Sequence, residues 1–247
     1  LSTVDKASFY PSWRALSERV SAEDEDRLLQ SLSSDNEYRV MLALRGLGEL
    51  GTLKAFEAVK SYIEGGQDAV RRVRGRAFDA FERMPGSLSL DTARQWFRRK
   101  EWYLHVAAGH ILENHATPED NPLLIEALRT PETLRREDFR LSSALKAMAR
   151  FEGIGPVPEL EHIFCEAQDC FDRYRAADAM AATSPVHFMA EYAFECLWDC
   201  HWDTRELGCE MVSLSADGAL DRLRELAADT NESERVREQA RTRPEGF

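Results

Sequence analysis

A short phrase recurs at intervals of 31 to 35 residues through most of this 247-residue sequence. In each copy a basic residue usually follows an apolar or small residue, and a small residue usually comes three positions later. The basic residues of the copies are Arg39, Arg74, His105, Arg140, Arg173, Arg205 and Arg237. Self-similarity at this period is typical of stacked helical pairs, because one pair cannot bury its apolar face until the next copy covers it. The phrase therefore predicts an all-α solenoid.

Helix-breaking residues mark where the pairs end, and no stretch of useful length alternates with a strand period. We expect one repeat domain over residues 1–247, with a capping segment at 1–20, about seven helical pairs within 21–242 and a tail at 243–247. The predicted pairs are 21–34 with 35–50, 53–64 with 67–84, 89–100 with 101–115, 119–129 with 133–151, 157–168 with 170–183, 186–198 with 201–215, and 218–229 with 232–242.

The small residues of the phrase predict where neighbouring helices approach one another most closely. They are Ala43, Ala77, Ala108, Ala144, Ala177, Gly208 and Ala240. Asp35 and Asp169 each stand four residues before a basic residue of the phrase, Arg39 and Arg173. This spacing predicts that each aspartate caps the second helix of its pair and also forms an ion pair with the arginine.

A turn Asp, then Val-Arg, then two alanines resembles the consensus of HEAT repeats, in particular the HEAT-like repeats of the phycobilisome-lyase type. The resemblance covers about residues 21 to 242 and rests on a short phrase, as in Val73-Arg74 and Val236-Arg237. The sequence departs from the consensus at His105, which replaces the arginine, and near Arg173, where Arg175 offers a competing register. The resemblance implies a right-handed curved solenoid whose second helices line the concave side.

Helix geometry predicts which side chains of the second helices point away from the buried stripe. With the basic residue of the phrase as zero, positions -2, +2 and +5 lie on one side of a helix that advances about 100° per residue. We expect this face to be acidic, interrupted by aromatic residues, and to dock a partner protein that carries Lys and Arg. The predicted partner-binding residues are Glu37, Asp79, Tyr103, Asp138, Phe171, Asp178, Asp203 and Glu210. The alternative is an ordinary solvated helix face.

The net charge of -12 disfavours nucleic acid and anionic membranes as partners and favours a basic partner, and the alternative is that it serves only solubility. No P-loop, GxGxxG, HExxH or GxSxG motif occurs, so we expect a cofactor-free, non-enzymatic scaffold, adaptor or inhibitor.

Two enzyme alternatives stay open. HEAT-like DNA alkylation-repair glycosylases hold a damaged nucleotide between tryptophans near an aspartate, for which this sequence offers Trp102, Trp198, Trp202 and Asp203. The repeat type alone suggests a subunit of a bilin lyase.

All five cysteines lie in the second half of the sequence. Cys165 and Cys196 are 31 residues apart, and Cys170 and Cys200 are 30 apart, so both pairs occupy similar places in adjacent repeats. We expect small core residues rather than a zinc site, because free cysteine packs like a small hydrophobe and no CxxC spacing occurs. Reduced thiols, no membrane-length apolar run and no opening signal-peptide pattern predict a cytoplasmic protein.

Overall fold

Every regular element is helical in the computed structural model, which describes residue 9 and residues 20–65, 71–129 and 139–243. The all-α prediction is therefore confirmed, and no strand occurs among these residues. Most of the predicted capping segment and tail, and the start of the predicted helix 133–151, lie outside them. The described α-helices are α1 (Glu25–Ser31), α2 (Glu37–Leu50), α3 (Leu53–Glu64), α4 (Arg71–Glu82), α5 (Gly86–Trp96), α6 (Trp102–His115), α7 (Asn121–Leu128), α8 (Arg140–Met148), α9 (Pro158–Glu166), α10 (Cys170–Thr183), α11 (Pro185–Glu191), α12 (Ala193–Cys196), α13 (Trp202–Met211), α14 (Ala219–Ala228) and α15 (Glu234–Thr242).

Short polar side chains begin several of these helices by accepting hydrogen bonds from otherwise unpaired backbone amides. Asp169 accepts from the amides of Phe171 and Asp172 at the start of α10, so its predicted capping role is confirmed. At the start of α2 the prediction was wrong by one residue, because Asn36 rather than Asp35 provides the cap. The sequence thus identifies these helix starts to within a residue.

The described helices divide into two compact units at the junction of His115 and Ala116. In the first unit α1 packs on α2, α3 on α4 and α5 on α6. The second helices α2, α4 and α6 also contact one another in order, as do the first helices α1, α3 and α5. Contacts between like helices of successive pairs are the arrangement expected when each pair covers the apolar face of its neighbour.

In the second unit α7 packs on α8, α9 on α10 and α14 on α15. The helices α8, α10, α13 and α15 contact one another in this order and form the row of second helices. The predicted single helix 186–198 is instead two short helices, α11 and α12, separated by Tyr192 at φ −126° and ψ −27°. The Tyr192 hydroxyl donates to Glu161 of α9 at 3.1 Å, which ties this break to the preceding pair.

The small residues of the phrase are buried in both units, as predicted. Ala43, Ala77, Ala108, Ala144, Ala177 and Ala240 are each at most 1% exposed. Gly208 has no room for a side chain, because a Cβ there would lie 2.9 Å from Cys196 Cβ and 3.0 Å from the backbone nitrogen of Leu197. The close approach of α12 and α13 therefore requires glycine.

Candidate partner-binding surface

The arginines of the phrase hold neighbouring pairs together in the second unit. Arg173 donates from Nη1 to the carbonyl of Ala167 at 3.0 Å and from Nε to Asp199 Oδ2 at 2.9 Å. Arg205 repeats this arrangement with the carbonyl of Asp199 at 2.6 Å and both carboxylate oxygens of Glu232 at 2.6 Å. Each guanidinium thus joins the end of the preceding first helix to a carboxylate of the next pair.

The predicted ion pair within one turn, between Asp169 and Arg173, was therefore wrong. Asp169 is committed to the amides of α10, and the arginine reaches forward 26 residues to Asp199. The corresponding arginine of the first pair, Arg39, donates to the hydroxyl of Ser31 at 3.4 Å. His105, which replaces the arginine in its copy of the phrase, keeps one of these contacts. Its Nε2–H donates to the carbonyl oxygen of Arg99 at 2.5 Å, and Arg99, like Ala167 for Arg173, lies six residues earlier.

The arginine links lower the pKa of both carboxylates that they contact. Burial, the largest influence, raises the pKa of Asp199, but the hydrogen bonds from Arg173 and from the His201 amide outweigh it and leave the pKa lowered. Glu232 behaves in the same way, since Arg205 and the Ser233 amide lower its pKa against the effect of burial. Both carboxylates are thus held ionised by the structure.

The predicted partner-binding residues are not all accessible. Glu37, Phe171 and Glu210 are exposed, while Asp79, Asp178 and Asp203 are half-buried, and Asp138 lies outside the described residues. Tyr103 was wrongly predicted as an exposed anchor, because it is only 6% exposed and its ring packs edge-on against Trp102 at 6.1 Å. The helix α6 is buried on several sides, and its exposed aromatic residue is Trp102, at 46%.

In the first unit Asp79 lines an open cavity of about 440 Å³ with Glu49, Glu82 and Arg83. Arginines pair with two of the three carboxylates, and a histidine lies beside the third. The closest contacts join Arg76 with Asp79 at 2.7 Å, Arg45 with Glu49 at 2.6 Å, and His110 with Glu82 at 3.4 Å. Burial and the charge of Arg83 lower the pKa of Arg45. This groove is charge-balanced rather than acidic.

Glu37 of α2 is not among the residues that line this groove. Its charge, after burial, contributes to the raised pKa of Tyr62 on α3. The first unit therefore does not gather its predicted site residues into one acidic surface.

A cluster of rings lies along the second helices of the second unit. His201, 8% exposed, is at its centre and contacts Phe171 edge-on with ring centroids 4.7 Å apart. The rings of Tyr174 and Trp202 stack on His201 at 5.5 and 6.0 Å. The guanidinium of Arg235, from α15, lies 4.8 Å from the centre of the Trp202 ring. This cluster brings residues of α10, α13 and α15 together.

Carboxylates accompany these rings. Asp203 and Glu206 of α13 lie 3.7 and 2.7 Å from the guanidinium of Arg235. Burial raises the pKa of Tyr174, and the charges of Asp178, Asp203 and Glu206 raise it further, which places the tyrosine among three carboxylates. We define the acidic–aromatic face as Phe171, Tyr174, Asp178, Trp202, Asp203, Glu206 and Glu210.

Two carboxylates of the acidic–aromatic face have no cationic side chain beside them in the part of the chain that the structure describes. Burial and, after it, the charge of Glu210 raise the pKa of Asp178. Among the described residues, neither Asp178 nor Glu210 forms an ion pair. The structure thus brings together two predicted residues from adjacent second helices and leaves their negative charges uncompensated.

Three members of the face, Tyr174, Trp202 and Glu206, were not among the predicted partner-binding residues. Tyr174 and Glu206 each directly follow the arginine of the phrase, at position +1. Positions -2, +1 and +5 are spaced by three and four residues, which places them on one helix face. The same spacing was available in the sequence, and it selects this face better than position +2 does.

The tryptophans of the glycosylase alternative are divided between the two units. Trp102 belongs to the first unit and lies under the guanidinium of Arg74 at 5.2 Å. Trp198 and Trp202 belong to the second unit, where Arg222 lies 3.9 Å from the Trp198 ring centre. Each of these rings carries an internal arginine on one face, where a sandwiched base would need room.

The cysteines follow the core prediction only in part. Cys196 and Cys209 are buried, and burial raises both pKa values, that of Cys209 to about 12. Cys165 and Cys200 are exposed, so the prediction that they fill the core was wrong. Within the ranges that the structure describes, no group of three or more His, Cys, Asp or Glu side chains is placed to hold a metal ion.

Comparisons with known proteins add the fold alone. No family model matches this sequence, and no curated protein matches it. The chain is similar to the crystal structure of an engineered protein, a target of the Northeast Structural Genomics Consortium, with a TM-score of 0.51 and 16% sequence identity. The match covers 99% of this chain and 76% of that one. No described helix has the length and apolarity needed to cross a bilayer. The resemblance to HEAT-like repeats stays a prediction.

Proposed function

We propose that this chain is a HEAT-like repeat protein, a right-handed solenoid of about seven helical pairs, that binds a basic segment of another protein without catalysing a reaction. The contacts between successive second helices within each unit support the repeat assignment. The net charge of -12 favours a basic partner. We assign the binding to the acidic–aromatic face of the second unit rather than to the charge-balanced groove of the first.

The uncompensated pair of Asp178 and Glu210 carries this proposal. Burial and, after it, repulsion by the charge of Glu210 raise the pKa of Asp178, and no cation among the described residues offsets that repulsion. A lysine or arginine of a partner, placed between them, would reverse the sign of the interaction. The free protein therefore holds unfavourable charge that a basic ligand relieves.

Arg235 provides an internal example of how such a ligand would be held. Its guanidinium lies over the ring of Trp202 and contacts the carboxylates of Asp203 and Glu206. A cation over an aromatic face contributes roughly 0.5 to 2 kcal/mol, and adjacent carboxylates add specificity for Arg and Lys. Tyr174, among three carboxylates and next to the Asp178–Glu210 pair, offers a similar ring to a partner's side chain.

A peptide titration tests the proposal. The probe is a fluorescently labelled peptide of alternating Arg and Ser, with a peptide of alternating Glu and Ser as its counterpart. We expect the Arg peptide alone to bind, and the double variant Asp178→Asn with Glu210→Gln to weaken its binding by roughly ten-fold, or about 1.4 kcal/mol. Fluorescence anisotropy at constant salt measures both affinities.

The matched control removes the same two charges elsewhere in the second unit. Glu191 and Glu195 are exposed on α11 and α12, outside the acidic–aromatic face. Glu191→Gln with Glu195→Gln should leave the affinity nearly unchanged. If both double variants weaken binding equally, the attraction is only that of net charge, and the proposed face is wrong.

A further inference from the structure

Cys170 and Cys200 are brought together by the stacking of two successive pairs in the second unit. Cys170 is the first residue of α10, and Cys200 precedes α13 by two residues. Arg173, one helical turn after Cys170, donates from Nη2 to the sulfur of Cys200 at 3.2 Å. The same guanidinium is fixed by Asp199 and by the carbonyl of Ala167. The turn that carries Cys200 is thus anchored to the first turn of α10.

The Cys200 thiol also influences the ionisation of Cys170. Burial raises the pKa of Cys170 most, and the charge of the neighbouring Cys200 thiol is the next influence. Cys200 is exposed and Cys170 half-buried, so a small reagent in solution reaches Cys200 more readily than Cys170. Cys170 and Cys200 stand three and five residues before the arginines of successive phrases, so they occupy similar places in repeats that stack side by side.

The other thiols differ from this pair. Cys165 is exposed, but the groups that influence its pKa, after burial, are the carboxylates of Glu166, Glu195 and Glu161 rather than a second thiol. Cys196 and Cys209 are buried in the core. Among the five cysteines, accessibility and a neighbouring thiol therefore coincide at Cys170 and Cys200.

We propose that Cys170 and Cys200 form a dithiol oxidation site that a low-molecular-weight disulfide, such as oxidised glutathione, converts to an internal disulfide. The Cys200 thiolate attacks one sulfur of oxidised glutathione, forms a mixed disulfide and releases one glutathione thiol. The Cys170 thiolate then attacks the Cys200 sulfur and releases the second glutathione. The protein loses two electrons and two protons, which the two glutathione thiols receive.

The bond would join the start of α10 directly to the turn before α13. Its two cysteines immediately precede Phe171 and His201, whose rings lie 4.7 Å apart in the aromatic cluster. Oxidation would therefore fix the spacing of two elements that Arg173 and Asp199 now hold through hydrogen bonds. This inference concerns the thiols themselves and does not depend on partner binding.

The test incubates the full-length, reduced protein with oxidised glutathione, alkylates the remaining thiols and maps the disulfides by mass spectrometry. Because the second thiol is held beside the first, ring closure has an effective concentration of at least the millimolar range. We expect the Cys170–Cys200 disulfide to exceed glutathione adducts at Cys200 by roughly ten-fold. The variant Cys170→Ser should instead accumulate the adduct at Cys200.

Cys165→Ser is the matched control, because it removes an exposed thiol outside the pair and should leave the internal disulfide unchanged. A parallel reaction in urea scrambles the pairing among all five thiols and shows what an unfolded chain would give. Stable glutathione adducts on Cys200 in the folded wild type, or a disulfide that uses Cys165, would overturn the proposal. Circular dichroism of each variant confirms that it is folded, and mapping of the wild type tests the proposal even where a variant is not.

Discussion

A single carboxylate, Asp178, shows how its surroundings set its chemistry. It lies five residues after the arginine of its phrase, where α10 faces α13. The same position is fully buried where it is leucine, at Leu44 and Leu145. Asp178 is instead half-buried beside Glu210, so that its charge is disfavoured both by lost hydration and by a like charge.

The raised pKa of Asp178 makes the stability of the protein depend on pH. A carboxyl group with a higher pKa in the folded than in the unfolded state favours folding while protonated, and this contribution is lost as the pH rises from about 3.8 through the folded-state value. The variant Asp178→Asn does not lose stability in this way, because asparagine does not ionise. We expect its free energy of unfolding, relative to wild type, to increase as the pH is raised from 4 to 7 in urea titrations.

Glu191→Gln provides the comparison for that series, since Glu191 is exposed. Its free energy of unfolding should follow that of wild type at every pH. A constant difference between Asp178→Asn and wild type across the same range would mean that Asp178 is ordinarily solvated in the folded protein.

Among the helices, the repeat period predicted most of what the structure contains. Helix type, the order of first and second helices and the buried alanines follow from local periodicity, which a sequence displays directly. The break at Tyr192 was not predicted, because it depends on a hydroxyl contact with Glu161 of the preceding pair. The partners of Arg173 and Arg205 were missed for the same reason, since they lie 26 and 27 residues further along the chain.

The candidate surface was predictable only where exposure follows from position on a helix. The places of Phe171, Asp178, Asp203 and Glu210 on this face were predicted in this way, and their role in binding stays a proposal. Tyr103 has the same position in its phrase as Phe171, yet it is buried, while Phe171 is 54% exposed. The difference arises because α6 is covered on more than one side, and the number of neighbours around a helix is a tertiary property that the phrase does not encode.

The link between Arg205 and Glu232 should stabilise the second unit. The side chains of Arg205 and Glu232 are only 16% and 6% exposed, so loss of the arginine would leave a buried carboxylate uncompensated. We expect Arg205→Met to lower the free energy of unfolding by about 3 to 5 kcal/mol in urea titrations. Adding Glu232→Gln should restore part of that loss, because the double variant leaves no unpaired charge.

Arg224→Met is the control for this link. Arg224 also pairs with a carboxylate, Asp221 at 3.0 Å, but the two side chains are 72% and 80% exposed. Its removal should cost less than about 1 kcal/mol. Equal losses for Arg205→Met and Arg224→Met would show that the repeat arginine contributes no more than a surface ion pair.

Charge is distributed unevenly through the molecule as a whole. The groove of the first unit pairs its carboxylates with Arg45, Arg76, Arg83 and His110. The acidic–aromatic face of the second unit keeps Asp178 and Glu210 uncompensated. An excess of negative charge that is partly concentrated on one face favours a protein ligand rich in Lys and Arg, and it opposes the phosphate backbone of nucleic acid.

This balance separates the proposed function from the glycosylase alternative by experiment. An enzyme that repairs DNA must neutralise phosphates, so its affinity for duplex DNA is measurable at low salt and falls steeply as salt is added. For this chain, with its net charge of -12, we expect no binding to a labelled duplex even at low salt. The alternating Arg–Ser peptide should bind under the same conditions, and its association should slow as salt screens exposed charges beyond about 8 Å at physiological ionic strength.

Binding of the duplex with a steep salt dependence would reject the basic-segment proposal. It would direct attention to Trp198 and Trp202 as base-stacking residues, even though both now carry an internal arginine.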